Sequence, residues 1–322
     1  MFRRTPKDKM TWGQFEAERR LPNDHFLMRI NELIDFSPIE KALSELYSHD
    51  NGRPSYPPLV LFKILLLERF YNLSDVQVVE QLRYNFLFMR FVGISLSDDP
   101  PDDTTIVKFR NRIEGRRILS NALAYINSQL ERRGLILKQG AVIDGTLIRA
   151  AVGPKATRKD PDARTTVRKK GKGENAKVKV VHGYNAGVSV DKGTGFILKV
   201  VVAPANVHDT GLFDPLLPGG VKEVYGDKGF DSAERRERLR ENGIIPRIMF
   251  KGKRGKGLSN IERYHNKRWA KVRYVVEQSI AGMKRYCGLR RMMWMGLGRA
   301  QTQAELSAIA LNCKRAALAL RA

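Results

Sequence analysis

The chain has 322 residues, 42% of them hydrophobic, which suffices for two ordinary globular units and excludes a disordered chain. Two cysteines without metal-ligand spacing, Cys287 and Cys313, exclude a disulfide framework. The longest apolar stretch, 57–67, is too short to cross a bilayer and contains Lys63.

The net charge of +24 is unevenly placed. Residues 1–103 hold 13 Lys and Arg against 16 Asp and Glu, a balance of −3, whereas 104–322 hold 45 against 18, a balance of +27. An excess confined to the later two-thirds is the electrostatic footprint of a nucleic-acid-binding region. The start of the chain lacks the apolar core of a signal peptide, so a reducing, cytoplasmic home without a membrane partner is expected.

The first part reads as all-helical. Ser37-Pro-Ile-Glu40 has the form of a capping box with proline at the first helical position, predicting a helix to about Tyr47. After the breaker Gly52-Arg-Pro-Ser-Tyr-Pro-Pro58, residues 59–70 are apolar on nearly every side and predict a buried helix. Ser74 caps a helix over 75–82, and 85–92 continues the pattern. The four aspartates of 98–103 favour the positive end of a following helix over 104–113 more than they suggest a metal site. That helix places Ile106, Phe109 and Ile113 on one face and Lys108, Arg110 and Arg112 elsewhere. It suits either a DNA groove or a solvated surface. A further helix, 116–133, ends at Gly134.

From 140 the period becomes that of strands. A strand is predicted over 141–149, a hairpin over 182–190 and 196–203, and a short helix over 209–217. A strand over 221–227, a helix over 232–242, a strand over 244–250, a long helix over 260–286 and an amphipathic helix over 299–320 complete the chain. The fold class expected is α/β, a mixed five-stranded sheet flanked by helices over 135–290. It follows an all-helical N-terminal domain, 1–134, and precedes a C-terminal helix in 291–322. A basic insertion over 153–180, with Lys169 and Lys170, reads as a mobile loop; 251–257, with Lys253 and Arg254, reads as a second. Each is a candidate contact to a phosphate backbone, or else a solvated loop.

Three carboxylates stand apart from this pattern. Asp144 interrupts the apolar run 141–148, Asp227 closes the strand 221–227, and Glu277 lies in the long helix with Arg273 and Lys284 on its stripe. A buried ionised carboxylate is costly unless a cation or hydrogen-bond donors compensate it. If the two strands are neighbours, both aspartates reach one edge of the sheet, and the long helix must bring Glu277 across. Oxygen-only ligands select Mg²⁺, with Mn²⁺ as a substitute. Two such ions would leave a net positive pocket for a phosphodiester and suit an in-line displacement. Glu277 by itself better suits an exposed Arg–Glu pair.

Four segments, Val142-Ile-Asp-Gly-Thr146, Ala205-Asn-Val-His-Asp209, Tyr225-Gly-Asp-Lys-Gly-Phe-Asp231 and Arg273-Tyr-Val-Val-Glu277 with Lys284, together resemble the DDE transposases of bacterial insertion sequences, in the large "four/five" superfamily. Asp103-Thr-Thr-Ile-Val-Lys-Phe-Arg-Asn111 resembles the junction after that family's helical N-terminal domain. The resemblance runs from about 10 to 315. It implies a ribonuclease-H-like catalytic core with Asp144, Asp227 and Glu277 as catalytic metal ligands, and Arg273 and Lys284 holding phosphates around the scissile bond. Two departures are Ala270, where the family often has tyrosine, and Asn185, where it tends to have lysine.

The activity implied is binding of terminal inverted repeats, metal-dependent strand cleavage and transfer into target DNA. The partners implied are double-stranded DNA and at least one further copy of the chain, in the bacterial nucleoid. A ribonuclease-H-like nuclease or resolvase without joining activity, and a transposase-derived DNA-binding regulator, are the alternatives. Of the remaining candidates, Lys228 suits a DNA contact, Asp209 an N-cap, and Asp231 a capping box with Glu234. His208 suits either a site contact or none, and Trp294 either base stacking or core packing.

Overall fold

The computed structural model describes Phe2 and residues 12–22, 24–48, 54–156, 158–170, 177–252, 255 and 257–320. The chain divides into two compact units, Met1–Ala122 with Ile309–Ala322, and Leu123–Ala308.

The first unit is built from α1 (Trp12–Arg20), α2 (Phe26–Leu33), α3 (Ser37–Ser44), α4 (Pro58–Tyr71), α5 (Asp75–Tyr84), α6 (Phe86–Val92), α7 (Asp103–Ile113) and the start of α8 (Ile118–Arg132). Its boundaries follow local chemistry. Ser74 and Gln77 form a reciprocal capping box on α5, and Asp102 caps α7 by accepting from Thr105 N at 2.7 Å. Ser37 is the first residue of α3 instead of its cap; Phe36 takes the cap position without a side-chain bond, and the helix stops at Ser44. α4 is buried on almost every side, as its continuous apolar run requires.

Arg110 does not face solvent. It is 3% exposed, and both of its Nη atoms donate to Asp75 at 2.7 Å. The reason lies in helix geometry: positions 106, 109, 110 and 113 make one buried stripe, and Arg110 sits inside it, neutralised by Asp75. Lys108, two residues back, is exposed.

The second unit contains β1 (Ala141–Arg149), β2 (Arg164–Lys170), β3 (Lys177–Asp191), β4 (Ile197–Pro204), α9 (Phe213–Leu216), β5 (Glu223–Gly226), α10 (Ala233–Glu241), β6 (Ile245–Ile248), α11 (Asn260–Tyr286) and the first half of α12 (Leu297–Ala319). The strands form one sheet in the order β2-β3-β1-β5-β6, with β4 also paired to β3. β3 is long enough for its first half to pair with β2 and its second with β4. β1 runs antiparallel to β3 and parallel to β5, and β5 is parallel to β6. This is the mixed sheet expected, flanked by helices, with six strands in place of five.

The extra strand comes from the basic insertion. Residues 164–170 were expected in a mobile loop, but they pair with 177–183 through a continuous antiparallel ladder. Thr165-Thr-Val167 and Val178, Val180 and Val181 are β-branched residues suited to a ladder, and their strand preference outweighs the charge between them. Gln301 of α12 blunts the outer edge of β4. Its Oε1 accepts from Val202 N at 2.7 Å, and its Nε2 donates to Val200 O at 3.0 Å.

Candidate active site

Ala141, Val142 and Ile143 of β1 are fully buried, and burial relaxes from Asp144 onward. The parallel ladder between β1 and β5 ends at the rung Ile143↔Gly226. Asp144 and Asp227 are therefore the next residues on two adjacent strands. Ends of neighbouring parallel strands are where an α/β sheet presents reactive groups.

α11 is fastened across this edge. Ser259 and Glu262 form the capping box that starts it. One turn on, Asn266 clamps the end of β6: it donates to Phe250 O at 3.1 Å and accepts from Phe250 N at 2.8 Å. Further along, Lys284 Nζ donates to Thr146 Oγ1 at 2.5 Å and to Leu147 O at 2.9 Å. Arg273 and Glu277 lie between these anchors. Arg273 Nη2 donates to Asp144 Oδ2 at 2.7 Å, and Nη1 donates to Asp227 Oδ1 at 3.2 Å. Glu277 Oε1 stands 3.9 Å from Nη2. One guanidinium thus gathers the two aspartates and lies close to the glutamate.

The electrostatics follow from that placement. Burial pushes the Asp144 carboxyl up, against the pull of Arg273 and of the Gly145 N–H. Burial also disfavours charged Arg273, but Asp144, Asp227 and Glu277 outweigh it and hold the guanidinium protonated, its pKa raised. Among the described residues, no three His, Cys, Asp or Glu side chains are close enough together to hold one metal ion. Glu277, with 62% of its side chain exposed, is the outermost member of the group.

Side chains alternate across a strand, so Gly145 faces away from Asp144. There it meets Asp209. A Cβ on Gly145 would lie 2.6 Å from Asp209 Oδ1, and the same oxygen accepts from Asn185 Nδ2 at 2.6 Å. Asp209 was expected to cap a helix; it is instead the first residue of a short 3-10 turn whose cap position is taken by His208, and its carboxylate braces β1 behind Asp144. No local pattern marks this, because Gly145, Asn185 and Asp209 belong to three distant segments.

The turn after Asp227 is locked in its own way. Phe230 packs on Phe213, with ring centroids 5.3 Å apart. Asp231 accepts from Arg236 Nε and from Lys251 N, each at 2.8 Å, while Arg236 Nη2 donates to Ile248 O at 2.5 Å. Asp231 is structural, as expected, but Ser232 is the residue that caps α10.

Residues 136–313 match the transposase DDE domain family, and residues 15–112 match the transposase domain (DUF772). The chain belongs to the DDE transposases. This transposase is therefore a DNA-cleaving and strand-transferring enzyme, of a family that generally uses divalent metal ions. Among solved structures it is similar to the piggyBac transposase in a synaptic complex with hairpin DNA. The identity is 11%, over 88% of this chain and 71% of that one, with a TM-score of 0.41.

The other residues expected to meet DNA fall in different settings. Lys228 is exposed in the turn directly after Asp227. Lys169 and Lys170 stand in β2, opposite Val178 and Lys177. Lys253 and Arg254 lie outside the described residues. Lys284 is bonded to β1, and Arg110 is committed to Asp75. His208 Nδ1 lies 3.4 Å from Thr210 Oγ1, and Trp294 is half-buried. Among the described residues, no helix is long and apolar enough to cross a membrane.

Proposed function

We propose that this transposase holds two Mg²⁺ ions, replaceable by Mn²⁺, with Asp144, Asp227 and Glu277, and uses that site to cut and join the ends of a bacterial insertion sequence. The observation that carries the reading is the arrangement of these three carboxylates around one cationic group just past the last rung between β1 and β5. The donor set is oxygen only and already surrounds a positive charge, so it fits a hard divalent ion. Such ions would polarise the scissile phosphate and lower the pKa of an attacking oxygen.

The chain's own contribution is positioning. Asn266 and Lys284 fix α11 over the sheet edge, and the Asp231–Arg236 pair fixes the turn that carries Asp227. Lys228, exposed beside Asp227, suits a contact to a DNA phosphate, as do Lys169, Lys170, Lys253, Arg254 and Lys108. The substrates in this reading are the terminal inverted repeats and a target duplex. The helical unit serves end binding, dimerisation or both, and the working form is at least a dimer on nucleoid DNA.

The test is Asp144→Asn on a donor plasmid carrying the element's ends with Mg²⁺ present. Strand cleavage and strand transfer are both expected to fall by at least about a thousandfold, the scale on which a preorganised electrostatic group contributes. Wild-type levels of either product would refute the assignment.

A further inference from the structure

Arg273 occupies an unusual position for a residue whose expected task is to hold DNA. Its guanidinium lies between Asp144 and Asp227, with Glu277 next to it, where a cation shared by the three would sit. Only part of its donor capacity is used. Guanidinium has five N–H donors, and here Nε is buried without an acceptor. As a static ion pair this is incomplete, since a buried charge normally persists with its donors satisfied. The carboxylates are incomplete as well: among the described residues they form no group close enough to hold one ion, and the guanidinium fills the place between the two aspartates. Both deficits have one remedy, which is withdrawal of Arg273.

We infer that Arg273 is a resident counter-cation that competes with the divalent metal for Asp144, Asp227 and Glu277. In the DNA-free protein it neutralises part of their charge and occupies the place between them, which weakens metal binding. A guanidinium cannot share the three carboxylates with a divalent ion, because like charges at contact distance repel strongly in a half-buried site. The side chain must swing off the aspartates for metal to enter. Once released, its planar fork matches a phosphate, a partner that DNA supplies. Linkage then requires DNA and metal to favour each other's binding, because each removes Arg273 from the other's competitor state. This inference rests on the carboxylates being the metal ligands, as proposed above.

The test is direct Mn²⁺ binding by the DNA-free full chain, followed by electron paramagnetic resonance of the free ion. Arg273→Ala and Arg273→Gln are each expected to bind Mn²⁺ roughly tenfold or more tightly than the wild type, within the usual range of coupling between sites. Arg273→Lys, which keeps a charge, is expected to stay near wild type. The double variant Asp144→Asn with Arg273→Gln is expected to lose the gain. Equal or weaker binding by Arg273→Ala and Arg273→Gln, with Asp144→Asn still lowering it, would overturn the competitor role and leave the ligand assignment standing. If Asp144→Asn has no effect on Mn²⁺ affinity in the Arg273→Gln background, the ligand assignment itself fails. Circular dichroism melts run in parallel show whether each variant is folded. The Gln and Lys variants keep the question decidable if the Ala variant is not.

Discussion

Replacing Gly145 by alanine adds one methyl group at the residue after Asp144. Its Cβ would sit 2.6 Å from Asp209 Oδ1 and 2.9 Å from Asp209 Cγ. Ordinary contacts begin at 3.4 Å, well beyond both distances, so something must move. The backbone of β1 at Gly145 is held by the ladder to β3, where it pairs with Gly187, which leaves the Asp209 side chain as the more movable part. Moving it breaks the bond from Asn185 Nδ2, and Asn185 is 1% exposed. A buried donor that loses one acceptor costs about 1–3 kcal/mol, and residual overpacking adds about 1–3 kcal/mol. The reduced chain entropy of alanine returns at most about 1 kcal/mol. The net expectation is a loss of about 1–5 kcal/mol, read from urea unfolding followed by tryptophan fluorescence. The decisive comparison is a double-mutant cycle with Asp209→Gly. In that background the methyl group meets only Asn185 Oδ1, at an ordinary contact distance of 3.4 Å, and Gly145→Ala is expected to cost nothing or to stabilise by up to about 1 kcal/mol. The same cost in both backgrounds would refute the claim that Asp209 is what demands glycine at 145.

Glu305 offers a pH test. Burial pushes its carboxyl up to about 7, with the bond from Gln301 pulling the other way, so the folded chain binds this proton more tightly than the unfolded chain does. Its stabilising share is complete below the ordinary carboxyl value of 4.5 and is lost as pH rises to about 7. The loss totals roughly 3 kcal/mol at about 1.4 kcal/mol per pH unit. Glu305→Gln keeps the acceptor and should remove that slope; parallel stability curves from pH 4 to 8 would contradict it. Asp231→Ala leaves the guanidinium of Arg236, 8% exposed, without its carboxylate and should lower stability by about 3 kcal/mol. Asp231→Asn, which can still accept, should cost less than half of that. Lys284→Met keeps the length of the side chain but loses the donors to Thr146 and Leu147, for about 1–3 kcal/mol in a thermal melt. No change in melting would show that Lys284 does not hold α11 to β1.

How much was legible beforehand depended on the range of the interactions involved. Helix ends in the first unit were readable where a cap and the amides it serves are three residues apart, as with Ser74 before α5. The central strands were readable from their apolar runs, and the three carboxylates from their misfit within those runs and from family resemblance. Ser37 shows the limit of even a local signal, since a complete capping box in the sequence did not form one.

What only the tertiary structure decided were the partners of charged side chains. Arg110 looked like a surface cation until Asp75, 35 residues away, drew it inward. The basic segment 164–170 looked like a loop until β3 supplied a ladder. Asp209 looked like a cap until Asn185 and Gly145 met it. The candidate active site shows this most clearly. By itself the chain determined which residues were chemically out of place at 144, 227 and 277. That Arg273 would lie among them depended on contacts spanning 129 and 46 residues. Periodicity and capping act within a turn or two of the chain, whereas an ion pair forms wherever folding brings opposite charges together and removes the water between them.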